Sequence, residues 1–222
     1  MPPSFISDSA DYWDRYAGHA AAQASEEALK NAFGWTQYEG HGPGVELLGT
    51  PTTALELGSG TGDAVAALAS KGIDATGIDI SPVHIAEAHK RWGHLSNAHF
   101  VTDDVLDYLA SVDQHWDAIY SIWGALWFTD PESLLPAAHN RLGPGGRLVF
   151  SHAPPVPGSY GVQGMYGNGF KGRQVWIYRW AYEPQDWANL LHRYGFTDIY
   201  ARVEPAPDPE NVGTLVVEAR RR

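Results

Sequence analysis

Hydrophobic positions along this chain change period several times, and the changes mark out an alternation of strands and helices. Thr52 to Leu57 is an apolar, threonine-rich run of strand length, and Ala64 to Ala69 after it reads as helix. Asp74 to Ile80 gives a second strand. Ser81 then caps a helix that runs to about Trp92, with Pro82 at its first position. Asn97 to Thr102 is a third strand and Val105 to Ala110 a short helix. Trp116 to Ile122 is a fourth strand, apolar enough to be buried on both faces. Asp130-Pro131 opens the next helix, which stops at Arg141-Leu142-Gly143-Pro144, and Gly145-Gly146 leads into a fifth strand over Arg147–Ser151. No internal repeat interrupts this series.

The flanks differ. Asp8 to about Phe33 predicts one helix capped by Ser7 or Asp8, with Tyr12, Trp13, Tyr16 and Ala20 on one face. Gly34 to Thr50 is glycine-rich and reads as a connector with a short helix at best. Ala153 to Gly172 is the least regular part, and a loop this long in a compact domain is usually functional or disordered. Its aromatics argue against disorder. Gln174 to Tyr182 resumes as a strand with Trp176, Tyr178, Trp180 and Tyr182 on one parity. Pro184 begins a helix to Tyr194. Phe196–Val203 and Gly213–Ala219 then form two strands joined by the Pro205–Pro209 turn.

The chemistry gathers at Glu56-Leu57-Gly58-Ser59-Gly60-Thr61-Gly62, between the first strand and its helix. Strand, tight glycine turn and helix open a nucleotide-binding α/β sheet. The spacing is neither G-x-G-x-x-G nor a phosphate-cradling loop, since no G-K-[ST] follows. Glu56 and Asp63 flank the turn, and two carboxylates there disfavour a pyrophosphate and suit a cationic or hydroxyl-rich ligand. Asp79 closes the second strand 17 residues after Gly62, about where an acid takes ribose hydroxyls in dinucleotide folds.

With E-L-G-S-G-T-G, G-I-D-I-S-P, Asp104-Val105 and an L-x-P-G-G before the fifth strand, the chain resembles the class I S-adenosylmethionine-dependent methyltransferases. The resemblance covers about Ala54 to Phe150. It implies an α/β, Rossmann-like fold with a seven-stranded, mostly parallel sheet, an antiparallel last strand and helices on both faces. It divides the chain into an N-terminal helical cap (1–50), a cofactor-binding core (51–152), a substrate lid (153–182) and a C-terminal helix with a strand hairpin (183–222). S-adenosylmethionine is the implied cofactor. The implied contacts come from Tyr12, Tyr16, Glu56, Gly58, Ser59, Gly60, Asp79, Ile80, Asp104, Val105 and Ser121. In the family the glycine turn passes under the methionine part, the acid after strand 2 holds the ribose and the D-[AV] pair lies beside the adenine. Asp103 stands where family members usually have glycine, and Asp104 is the favoured adenine contact.

Composition narrows the partners. Among 222 residues there is no cysteine, which excludes disulfides and thiolate sites, and a net charge of −11 disfavours a phosphate-backbone partner. No apolar run reaches the roughly 20 residues of a membrane helix, and Met1-Pro2-Pro3-Ser4 does not open a signal peptide. The expectation is a cytoplasmic protein with a small-molecule substrate and neither nucleic acid nor membrane as partner, and a homodimer is compatible with it. No metal site is expected.

Nine tryptophans and eleven tyrosines supply the substrate side. In a parallel sheet the ligand crevice lies outside the carboxyl ends of the strands. There Trp123, Tyr160, Tyr166, Trp176 and Tyr178 are the expected walls for a small aromatic or apolar acceptor, methylated on nitrogen or oxygen. Trp123 reads equally as core; Trp13 and Trp127 read as packing. His152, after the fifth strand, is the candidate base, and Tyr16 the other catalytic candidate. A catalytically silent cofactor-binding subunit and an NAD(P)-dependent oxidoreductase are the alternatives. The final hairpin, where a dehydrogenase would add another βα unit, separates the second of these.

Overall fold

The computed structural model describes residues 6–17, 25–166 and 176–222. Two short helices, α1 (Ile6–Ala17) and α2 (Ser25–Asn31), precede a 3-10 turn at Val45–Leu48. The alternating part follows: β1 (Thr53–Leu57), α3 (Asp63–Ala69), β2 (Asp74–Asp79), α4 (Pro82–Trp92), β3 (Ala98–Thr102), α5 (Val105–Ser111) and β4 (Trp116–Ile122). After it come α6 (Ala125–Phe128), α7 (Pro131–Arg141) and β5 (Leu142–His152). The chain ends with β6 (Gly161–Tyr166), β7 (Trp176–Ala181), α8 (Pro184–Arg193), β8 (Phe196–Glu204) and β9 (Thr214–Arg221).

Seven strands form one sheet in the order β3-β2-β1-β4-β5-β9-β8. β1 to β5 pair in parallel, and β9 runs antiparallel to both its neighbours, as expected of the last strand. The order reverses between β1 and β4, the switch point at which such sheets leave a crevice outside their carboxyl ends. Strand parity sorts the core into two layers. Leu55 and Leu57 of β1 pack with Leu134, Leu135 and Trp187 on the α5, α7 and α8 side. Ala54 packs with Val65, Ile85 and Trp92 on the α3 and α4 side. Each central strand is therefore covered twice, which is why β1 and β4 read as continuous apolar runs.

The flanking segments add detail to the pattern, and one of them departs from it. Of the helix expected over Asp8–Phe33 the described residues hold α1 and α2; Gly34 N–H bonds back to the Asn31 carbonyl at the end of α2, and residues 18–24 lie outside those described. The connector from Gly34 is anchored by Trp35, which is fully buried and donates from Nε1 to the Gly44 carbonyl at 2.8 Å. The irregular 153–172 stretch contains β6, which pairs antiparallel with β7 from Gly161↔Ala181 to Tyr166↔Trp176 as a separate two-stranded sheet. Gly161 and Gly164 hide that strand from an alternation count. β7 packs against α6 and α1, so the hairpin stands over the crevice end of the main sheet. Among the described residues no helix is long and apolar enough to cross a membrane.

Candidate ligand cleft at the sheet switch point

A cleft of about 900 Å³ opens at the carboxyl ends of β1, β2 and β4. That is near the upper end of the roughly 300–1,000 Å³ typical of ligand sites. One side is built on the β1–α3 turn. The N–H groups of Gly58 and Ser59 donate to the Ile78 carbonyl of β2 at 2.8 and 2.9 Å, which closes the turn onto the neighbouring strand. Gly58 has φ 80°, and a Cβ there would stand 2.6 Å from the backbone nitrogen of Ala125. Across the contact, a Cβ on Gly124 would meet the Leu57 carbonyl oxygen at 2.6 Å. The two strand-end turns thus touch backbone to backbone, which only glycine allows. Gly60 is different: φ is 52° and nothing lies within 4 Å of its missing Cβ, so its surface is open to the cleft.

Asp79 ties this side together. Its Oδ2 accepts the Gly60 N–H at 2.8 Å, and its Oδ1 accepts the Ser81 N–H at 2.9 Å, with His84 Nδ1 at 3.4 Å. Oδ2 keeps a lone pair for a further donor. Glu56 is buried at the end of β1, with the Tyr120 hydroxyl at 3.4 Å from Oε2. Burial pushes its carboxyl well above the usual carboxylate range, and the charges of Asp63 and Asp79 push the same way against the Tyr120 hydrogen bond. Burial also raises Asp63; Arg91, 3.0 Å away, and hydrogen bonds from Trp92 and Thr61 oppose it. Asp104 caps α5 by accepting the Leu106 N–H at 2.8 Å and lines the cleft, whereas Asp103 lies off it, accepting the N–H of Asp104.

The opposite side is aromatic. Trp123 leaves β4 with φ 53°, a left-handed conformation that costs a bulky residue about 1–3 kcal/mol and clusters at functional sites. Its N–H bonds to the Ser151 carbonyl at 2.9 Å and its indole donates to the Trp35 carbonyl at 3.0 Å. Trp127 stands edge-on to Trp123 with ring centroids 5.7 Å apart. From α1, Trp13 meets Phe128 at 4.8 Å, and Tyr12 and Tyr16 flank it at 5.0 and 5.6 Å. Burial, then the neighbouring Tyr16, raises the Tyr12 phenol. β7 completes the wall with Tyr178, Arg179 and Trp180.

Tyr12, Tyr16, Glu56, Gly58, Ser59, Gly60, Asp79, Ile80, Asp104 and Val105 therefore border one cleft, and Trp123 and Tyr178 border its aromatic side. Ser121 does not face it: its hydroxyl is buried, donating to the Leu57 carbonyl at 2.7 Å and accepting the Leu126 N–H at 3.3 Å. Tyr160 is half exposed and off the lining, as is Trp176, and the Tyr166 side chain lies outside the described residues. His152 is fully buried beneath the wall, stacked on Trp127 at 5.5 Å and Phe150 at 5.9 Å. Its Nδ1–H donates to the Ala153 carbonyl at 2.8 Å. Burial lowers its pKa to about 4. The ring lies off the cleft lining, behind Trp127, so the base expected at this position does not border the space where an acceptor would sit. Trp13 and Trp127, which read as packing from the sequence, line the cleft together with Phe128 and Trp180, which carry no sequence signal for it; α6, which orients Trp127 and Phe128, spans a single turn.

Comparison with known proteins agrees with this geometry. Residues 54–146 match the family model described as "Methyltransferase domain". A curated malonyl-[acyl-carrier protein] O-methyltransferase of Marinomonas sp. (strain MWYL1) is 32% identical over 99 residues, covering 44% of this chain and 36% of that protein. The chain thus spans about a third of the length of that relative. Among solved structures, the DhpI complex with SAH aligns at a TM-score of 0.69 with 20% identity, over 100% of this chain and 98% of the other. A Burkholderia thailandensis 1,6-didemethyltoxoflavin-N1-methyltransferase, solved with 1,6-didemethyltoxoflavin and S-adenosylhomocysteine, aligns at 0.60 with 22% identity, over 98% and 85%. The structural likenesses show the fold, and the matched methyltransferase-domain model spans the glycine turn.

Proposed function

We propose that this chain, which carries a class I methyltransferase domain, binds S-adenosylmethionine and transfers its methyl group to a nitrogen or oxygen of a small, largely planar or apolar acceptor. The observation that carries the reading is a single cleft with carboxylates and open glycine on one side and an aromatic wall on the other. Asp79 would accept a ribose hydroxyl on the remaining lone pair of Oδ2, and Asp104 would take the adenine amino group. Gly58, Ser59 and Gly60 would let the methionine part lie against the backbone, beside Glu56. Tyr12 and Tyr16 on α1 would border the sulfonium end, and the β6–β7 hairpin would act as a lid.

The bound cofactor supplies a methyl group that is already a strong electrophile, so the protein chiefly has to align the acceptor and exclude water. Trp123 and Trp180 would orient a flat acceptor by stacking, at about 0.5–1.5 kcal/mol per pair beyond area burial. With His152 sealed off, Tyr16 is the catalytic candidate left at the cleft, as a positioning hydroxyl. A cytoplasmic location and the absence of a nucleic-acid partner go with this reading, the latter resting on the net charge of −11. The antiparallel β8–β9 end disfavours the dinucleotide alternative. Binding of S-adenosylmethionine against NADH by calorimetry, then methyl transfer to small phenols and heteroaromatic amines beside tRNA, DNA and protein extracts, tests the proposal. Methylation of macromolecules alone would end it; cofactor binding with no transfer to any class would favour the silent-subunit alternative.

A further inference from the structure

Arg179 is the one arginine or lysine among the described residues that line the cleft, in a chain of net charge −11. Five acids of the lining, Glu56, Asp63, Asp79, Asp104 and Asp107, gather about the ends of β1 to β3, whereas Arg179 enters from β7 above α6. Its guanidinium lies over the Trp127 ring, 5.4 Å from the centroid. Its Nε–H donates to Gln163 Oε1 at 3.0 Å. Gln163 is pinned in turn, donating from Nε2 to the Ser159 carbonyl and hydroxyl at 2.8 and 3.0 Å. Asp130, the acid on this side of the lining, already accepts the Glu132 N–H at the start of α7 at 3.0 Å. Among the described residues Arg179 has no carboxylate partner. A half-buried guanidinium is thus fixed by one edge and one face, and its two terminal nitrogens remain for a ligand. A planar fork held in this way matches the two oxygens of an oxyanion.

We infer that the methyl acceptor carries an oxyanion, a carboxylate or a phosphoryl group, which binds Arg179 while the rest of the molecule lies on the aromatic wall. The inference rests on the methyl-transfer reading for the identity of the second ligand, and it narrows the planar acceptor to one with an acidic end. The neutral aromatic wall strengthens the pairing, because a charge-assisted bond gains in a site from which water is excluded.

Calorimetric titration of the full chain, with and without S-adenosylhomocysteine, tests it with benzoate, phenylphosphonate and the uncharged benzamide. At least one oxyanion should bind tenfold or more tightly than benzamide at low salt, and the preference should shrink as salt is added. The tighter of the two tells carboxylate from phosphoryl. Arg179→Met should abolish the preference, and Arg179→Lys, which lacks the fork, should keep part of it. If Arg179→Met does not fold, Gln163→Ala, which releases the guanidinium, should lower the preference several-fold. Equal binding of the three probes, no binding of either oxyanion, or an undiminished preference in folded Arg179→Met overturns the inference. So does an Arg179→Met protein that loses S-adenosylhomocysteine affinity but keeps the oxyanion preference, since the guanidinium would then serve the cofactor. Failure of the wild type to bind S-adenosylhomocysteine would sink the methyl-transfer reading alone, and the titrations without it would still decide the role of Arg179.

Discussion

The Ser81 hydroxyl donates a 2.5 Å hydrogen bond to Asp14 Oδ1 while the same oxygen accepts the His84 N–H at 3.1 Å. One side chain thereby caps α4 and ties α1 to the turn that carries Asp79. Asp14→Ala should release α1 with little effect on the core, because α4 keeps its cap. A hydrogen bond to a charged group is worth about 1.5–3 kcal/mol. S-adenosylmethionine affinity should fall roughly tenfold, and amide exchange should quicken in α1 but not in β1 or β4. Unchanged affinity would show that α1 docks without this bond.

Asp79 holds the Gly60 and Ser81 amides, so its two roles have to be separated. Asp79→Ala should weaken S-adenosylmethionine binding by about 1.5–3 kcal/mol, the range for lost hydrogen bonds to a charged acceptor, and lower stability as well. Asp79→Asn keeps shape and one acceptor oxygen, and should recover most of the stability but only part of the affinity. Calorimetry beside urea titration reads both. Full affinity in Asp79→Ala would remove it from the site.

The glycines of the turn should respond differently. Gly58→Ala meets the Ala125 nitrogen at 2.6 Å in a left-handed conformation and should destabilise the fold by more than about 2 kcal/mol. Gly60→Ala meets nothing within 4 Å and should cost only about 1–2 kcal/mol from its φ of 52°. Yet its methyl would stand at the cleft surface, so cofactor binding should drop by more than its stability does. Denaturation midpoints and binding constants of the pair check this, and equal behaviour would contradict it.

His152 makes stability depend on pH. Its folded pKa of about 4 lies below the ordinary 6.5, so between those values the unfolded chain takes up more protons. The stabilisation is complete above about pH 6.5 and is lost as the pH falls toward 4, up to about 3 kcal/mol. Urea midpoints of His152→Phe should therefore fall less steeply between pH 7 and 5 than those of the wild type. The pH profile of methyl transfer should keep its shape in the variant; a lost acidic limb would restore His152 as a base.

Much of this architecture was legible in the chain because strand length, capping and glycine spacing are local. Ser81-Pro82 and Asp130-Pro131 open their helices as read, and Asp79 lies where the second-strand acid should. The substrate side was harder. Whether His152 faces a cleft or a core depends on Trp127 and Trp187 from other elements, and no spacing within the chain encodes that. Ser121 has a strand-end position like a ligand contact, but its hydroxyl is taken by Leu57 one strand away. β6 escaped because its partner, β7, alone gives that glycine-rich stretch its ladder.

Trp123 and Trp35 have a consequence for redesign. The indole at the cleft wall depends on a carbonyl in the 34–44 connector, whose own tryptophan is bolted to Gly44. Gly124 cannot trade places with Trp123, since any side chain there strikes the Leu57 carbonyl. The wall is therefore not a cassette. A graft of the 123–128 segment into a relative, without the distant connector, would leave an indole N–H searching for its acceptor. Altered acceptor selectivity would then come at the expense of a wall that no longer stands in one orientation.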